Sequence, residues 1–221
     1  MSSPENEPPI NESQWFAFRI HSPKEKQTIT IEFAYPVGFH RYLPKISYDG
    51  IHWTSVDPKT MLIDGKPNTR NPTEAPTSGY VARFPLTLDG RTVWVAAQEL
   101  ITSGPIEDWA KSMVSAHLYI TLSTIGKSHG GRSIPMLSIN QGQTKKPMVV
   151  LIGRQHPPEV TGTLAQMRFV ETLCDGSDLS KKFLDRYNVI VIPNVNPDGV
   201  DQGHWRHNGV GQCKDTHNDG I

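Results

Sequence analysis

His156 and Glu159 stand three residues apart, with Pro157 and Pro158 between them. A neutral imidazole and a carboxylate aimed at one point suit zinc, whose catalytic sites often combine two imidazoles, a carboxylate and water. The spacing permits that convergence, because residues i and i+3 fall on nearly one face of a helix or a polyproline segment. Each proline biases its predecessor toward extended backbone, and Pro158 also suits the first turn of a helix. Taken alone, the four letters also fit a helix end carrying a solvated carboxylate. Their setting speaks for chemistry. Met148–Ile152 is an uninterrupted apolar run rich in β-branched residues, closed by Gly153. It reads as a strand buried on both faces, as in a parallel sheet under helices. Open α/β sheets place their sites just beyond such strand ends.

Other reactive types give weaker patterns. His204 and His207 flank Arg206, but an i,i+3 histidine pair on a loop is a poor ligand signal. Gly126-Lys127-Ser128 has the end of a phosphate loop, yet the position that needs the earlier glycine is Thr121, so that reading fails. Cys174 and Cys213 are the only cysteines, too few for a disulfide framework. Cys174 falls on a helical apolar pattern and reads as a small buried hydrophobe.

The run Gly153-Arg154-Gln155-His156-Pro157-Pro158-Glu159-Val160-Thr161-Gly162 resembles the first metal-binding motif of the zinc carboxypeptidases. A second block agrees in order and spacing: Pro193-Asn194-Val195-Asn196-Pro197-Asp198-Gly199, then Gly203-His204-Trp205-Arg206-His207-Asn208. More narrowly, the chain is similar to the branch related to cytosolic carboxypeptidases, which carry a β-sandwich before the catalytic domain. The resemblance implies zinc held by His156 and Glu159. It implies Arg206 as the cation that stabilises a tetrahedral oxyanion and contacts substrate. It implies the C-terminus of a peptide or protein as the substrate. Trp205 reads as packing.

The elements that position these residues follow from periodicity. Residues 1–12 are polar and Pro-rich and read as a disordered lead. From residue 13 to 104, period-two runs predict a β-sandwich. Phe16, Phe18 and Ile20 form one such run, and Ile29, Ile31, Phe33 and Tyr35 another. Asp49-Gly50 and Asp89-Gly90 predict hairpins, the second joining residues 80–86 to 92–97. Residues 64–78 read as a long loop. Ser103-Gly104-Pro105 opens a helix whose Ile106, Trp109, Ala110 and Met113 share a face. Residues 105–221 then read as α/β. Two strands flank His129-Gly130-Gly131. A helix over 160–174 turns Leu164, Met167, Val170 (or Phe169) and Leu173 inward, and one over 179–187 does so with Leu179, Phe183 and Leu184. A strand over 189–192 makes a βαβ unit with Met148–Ile152.

Bulk composition excludes some functions. Lys plus Arg and Asp plus Glu both number 22, so the formal net charge is zero, without the basic excess of a nucleic-acid surface. No apolar run reaches transmembrane length. The first residues lack the basic and apolar regions of a signal peptide, so the expected location is the cytoplasm.

The pattern departs from the family after Gly209-Val210-Gly211. There the resemblance leads one to expect an acidic residue and an Asn-Arg pair that grips the substrate carboxylate. The sequence instead runs Gln212-Cys213-Lys214-Asp215-Thr216-His217-Asn218-Asp219-Gly220-Ile221. The family's third ligand, a histidine, and its general-base glutamate lie further on. Nothing upstream fixes His217 as a substitute. The tail reads as a truncation, a frame change or a mis-assembled gene. The expectation is a metallocarboxypeptidase present as an inactive fragment. The alternative is a non-catalytic module whose β-sandwich recognises a protein or glycan.

Overall fold

A computed structural model describes residues 15–22, 26–35, 40–64, 66–67, 80–142 and 145–210. The proposed disordered lead, most of the 64–78 loop, Cys213 and His217 lie outside them. The chain divides into two compact units, with the division between Leu100 and Ile101.

The described residues of the first unit form strands and one 3₁₀ turn, Pro58–Thr60. Its strands are β1 (Ala17–Ile20), β2 (Gln27–Tyr35), β3 (Lys45–Ser47), β4 (Thr54–Ser55), β5 (Leu62–Ile63), β6 (Lys66–Pro67), β7 (Tyr80–Leu88) and β8 (Val93–Ala96). They form two four-stranded sheets, ordered β1-β8-β3-β4 and β2-β7-β5-β6. β2 and β7 pair antiparallel over their full length, from Gln27 opposite Leu88 to Tyr35 opposite Tyr80. Ile31, Phe84, Leu86 and Leu88 from one sheet share a core with Val93 and Val95 from the other. This is the sandwich that the alternating runs predict.

The Asp89-Gly90 hairpin is corrected. The turn does reverse the chain, with Gly90 at a φ of 88°. But β7 pairs with β2 and β5, while β8 pairs with β1 and β3. The turn therefore carries the chain from one sheet to the other. A turn signal reports local reversal, and pairing is decided by which neighbours bury the apolar faces.

The second unit begins with α1 (Ser103–Ala116) and β9 (Ile120–Lys127), followed by β10 (Ser133–Ile139) and β11 (Met148–Ile152). Then come α2 (Val160–Leu173), α3 (Asp178–Arg186), β12 (Asn188–Ile192) and α4 (Pro197–Gln202). The sheet order is β11-β12-β10-β9. β11 and β12 are parallel and in register, Val149 beside Val189 and Leu151 beside Val191. The other pairs are antiparallel. Leu137, Ile139, Val189 and Val191 are fully buried on one sheet face. They pack with Trp109, Ala110 and Met113 of α1, Val170 and Leu173 of α2, and Leu184 of α3. Each buried Leu, Ile, Val or Met among these stabilises the unit by about 1.5–3 kcal/mol relative to exposure. Cys174 is buried in this core, and burial pushes its thiol pKa up.

Three expectations change here. β11 is not covered on both faces among the described residues. Val149 and Leu151 pack inward, whereas Met148, Val150 and Ile152 are 56%, 50% and 60% exposed. Continuous apolarity shows that a strand can be covered twice, and the described helices cover one side. On α3, Leu184 is buried and Phe183 packs against the core, but Leu179 is 77% exposed. On α2, Leu164 and Phe169 lean outward, and the small Thr163 is fully buried in their place. No helix among the described residues is long and apolar enough to cross a membrane.

Candidate metal centre

β11 delivers the chain to the site, and glycine makes the exit possible. A Cβ on Gly153 would come within 2.5 Å of Gln166 Oε1 and 2.9 Å of the Pro193 carbonyl oxygen. The Gly153 amide donates to the Ile192 carbonyl at 2.8 Å, and its carbonyl accepts from the Val195 amide at 3.1 Å. The end of β11 is thus locked to the end of β12. Arg154 follows in left-handed backbone with a φ of 56°. Its side chain is buried, and its Nε donates to the Pro157 carbonyl at 2.7 Å.

His156 sits on the bend so formed, and Glu159 precedes the first residue of α2. The Glu159 side chain makes no cap bond to its own helix. It turns back to His156, with Oε1 2.8 Å from Nδ1. The imidazole is 16% exposed and the carboxylate residue 59% exposed at their side chains, so the point between them is open to solvent. On the far edge of the same ring, Nη1 of Arg206 stands 3.3 Å from Nε2. The three residues singled out in the sequence are therefore neighbours, with the His156 ring between the other two. Trp205 is buried, and the Arg206 guanidinium lies 5.9 Å from its ring centroid, as packing requires. His204 and His207 are buried, and Nδ1 of His204 faces the Asn208 carbonyl at 3.0 Å.

Asn196 joins the two loops, a role the sequence did not reveal. It is 3% exposed. Its Nδ2 donates to the Gln155 carbonyl at 3.3 Å and the His207 carbonyl at 3.1 Å, and its Oδ1 accepts from the Gly199 amide at 3.2 Å. One amide thereby spaces the residue before His156 from the residue after Arg206. The available signal was only that Asn196 heads a Pro-Asp-Gly turn. Behind it, Asp198 is buried and accepts from the Ser128 hydroxyl at 2.8 Å, the Gly130 amide at 2.7 Å and Arg132 Nη1 at 2.7 Å. Burial alone pushes this carboxyl up, but the three donors together hold it below the ordinary carboxylate range. A cleft of about 220 Å³ adjoins this junction, lined in part by Ser128, His129, Asn196, Asp198 and Asn208.

Zinc fits the donor set in part. Tetrahedral zinc holds its nitrogen and oxygen donors at about 2.0–2.2 Å, which separates them by about 3.3 Å. Nδ1 of His156 and Oε1 of Glu159 need only open from 2.8 Å. Two donors do not fill a zinc site, and no group of three or more His, Cys, Asp or Glu side chains suited to a metal occurs among the described residues.

To the open sheet with helices packed on it, and the His/Glu pair just past a strand end, comparison with known proteins adds the class. Residues 106–218, just over half the chain, match the family described as zinc carboxypeptidase, and residues 4–84 match the cytosolic carboxypeptidase N-terminal domain. The chain belongs to the zinc carboxypeptidase family, which implies zinc.

An uncharacterised protein of Zymomonas mobilis is 28% identical over 205 residues, 90% of this chain and 48% of that protein. Cytosolic carboxypeptidase 2 of Xenopus tropicalis is 32% identical over 94 residues, 40% of this chain and 10% of that protein. A metallo-carboxypeptidase from Burkholderia cenocepacia superposes with a TM-score of 0.73 at 24% identity, over 90% of this chain and 51% of that one. At that identity the likeness is one of fold. The chain spans about half the length of the Zymomonas and Burkholderia proteins.

Proposed function

We propose that residues 105–221 are the N-terminal part of the catalytic domain of a zinc-dependent metallocarboxypeptidase, preceded by a β-sandwich domain over residues 13–104. In this reading the protein removes C-terminal amino acids from peptides or proteins. The observation that carries it is the His156 ring held between Glu159, with Oε1 2.8 Å from Nδ1, and Arg206, with Nη1 3.3 Å from Nε2.

His156 and Glu159 would hold the metal. Bound zinc supplies a Lewis acid that polarises a scissile carbonyl and acidifies water. The residues of this chain do the rest. His156 and Glu159 present a nitrogen and a carboxylate oxygen from one short loop, so their spacing does not depend on distant motion. Glu159 also sits at the N-terminal end of α2, where the helix dipole favours its negative charge. Arg206 brings a planar, permanently charged guanidinium to the opposite, Nε2 edge of the same ring. There it can meet the charge that develops on a substrate carbonyl oxygen, the kind of contact that accelerates acyl transfer most.

The 221-residue polypeptide by itself is read as inactive. Its described residues offer two donors at the site, His156 and Glu159, and none of their carboxylates is assigned as the base that takes the proton of water. General-base assistance is typically worth ~10²–10⁴-fold. Calorimetric zinc titration tests the ligand assignment. Binding should be weakened at least about tenfold in both His156→Ala and Glu159→Ala. Equal binding by wild type and variants would sink the assignment. The zinc-loaded chain should release no amino acid from peptides with varied last residues. Chelator-sensitive release lost in Glu159→Ala would overturn the inactive reading. A folded chain that ignores zinc would favour the alternative, a β-sandwich that recognises a protein or glycan partner.

A further inference from the structure

Arg154 is an unexpected residue to bury. It is 5% exposed, and an arginine two residues past a strand end would ordinarily extend into water. Its backbone adopts a φ of 56°, a left-handed conformation that a non-glycine residue keeps only when its surroundings hold it there. Its Nη1 is buried and finds no hydrogen-bond partner among the described residues. Burial pushes the guanidinium pKa down to about 10, so it still carries its charge at neutral pH, favoured by Asp201 and Glu159. Three costs fall on one side chain, and general core packing requires none of them.

They are compensated in one place. The Arg154 Nε donates to the carbonyl of Pro157 at 2.7 Å. That bond closes a ring running from Arg154 through Gln155, His156 and Pro157 and back along the arginine side chain. His156 lies inside the ring. Pro157 and Pro158 each fix a backbone torsion within and beside it. The Glu159 amide donates to the His156 carbonyl at 3.2 Å, which tightens the next step. With the loop closed, the backbone carrying His156 is tied on both sides, and its Nδ1 faces Oε1 of Glu159 at 2.8 Å.

We propose that Arg154 is a positioning residue, whose bond to the Pro157 carbonyl holds the His156 imidazole against the Glu159 carboxylate. Its importance for metal binding rests on the proposed ligand reading, but the positioning itself is a property of the metal-free chain. Arg154 does not touch substrate or metal in this reading. It sets the geometry of the two residues that do.

The test compares Arg154→Met, which keeps much of the side-chain volume without donor or charge, with Arg154→Lys, which keeps a cation able to reach the Pro157 carbonyl. Nitrogen-detected NMR of the metal-free protein should show His156 as a single tautomer protonated at Nδ1. In Arg154→Met that signature should move toward a tautomer mixture while the melting temperature stays near wild type, because a buried, incompletely bonded charge is being replaced by an apolar group. Zinc affinity should fall about tenfold, the lower end of what supporting residues around metal ligands contribute. Arg154→Lys should restore part of both. Unchanged ring signals in Arg154→Met would overturn the proposal, and so would failure of lysine to restore them. If wild type binds no zinc, the ligand reading fails, and the metal-free ring signals still decide the role of Arg154.

Discussion

Nη1 of Arg206 lies 3.3 Å from Nε2 of His156, on the opposite edge of the ring from Glu159. A guanidinium can only donate. Nε2 must therefore accept, and the ring proton is assigned to Nδ1, where it is donated to Glu159. Binding a metal through Nδ1 would move that proton to Nε2 and set it against the guanidinium. Binding through Nε2 would need the position that Arg206 holds. In either case Arg206 must leave the ring.

Arg206→Ala is therefore expected to tighten zinc binding to the metal-free chain, by roughly two- to tenfold if one net hydrogen bond is relieved. Competition with a chromophoric chelator measures it. Unchanged or weaker binding would refute the tautomer assignment. In an assembled, active enzyme the same substitution should lower kcat, because the oxyanion contact is lost.

Gly199 is packed against both loops at once. A Cβ there would press on the His207 carbonyl and come within 2.7 Å of Asn196 Nδ2 and 2.8 Å of Pro157 Cγ. Gly199→Ala should destabilise the second unit by about 1–3 kcal/mol, the usual cost of overpacking. Hydrogen exchange should quicken at the amides of 155–156 and 204–208 together, since the same residue touches both segments. Acceleration confined to one of them would show that they are not coupled through this junction.

Asp198 makes the unit sensitive to acid. Its carboxyl is held below the ordinary range, so it contributes stability that is fully present above the unfolded value near 3.9 and is lost as pH falls through the lower folded value. Asp198→Asn should lower stability at neutral pH by roughly 2–3 kcal/mol, because Ser128, Gly130 and Arg132 lose a charged acceptor. The variant should also show a flatter pH dependence below about pH 4. Denaturation of wild type and variant across pH 2–7 checks both, and parallel curves would show that Asp198 does not carry the acid sensitivity.

Short-range regularities were legible without coordinates. The i,i+3 spacing brought Glu159 to His156, and period-two runs made the sandwich strands. A 3.6-residue repeat placed Ile106, Trp109, Ala110 and Met113 on the buried face of α1. Each depends on geometry that a few consecutive residues impose on themselves. What joins distant segments was decided only in the folded chain. The sequence could not say that β7 and β8 belong to different sheets, or that Leu179 faces water while Leu184 is buried. It could not show one amide of Asn196 reaching carbonyls at 155 and 207, or Arg154 folding back over its own loop. A turn residue or an arginine has the same local preferences wherever it stands. Its partner is set by which surfaces meet when the sheet and its helices close around a common core.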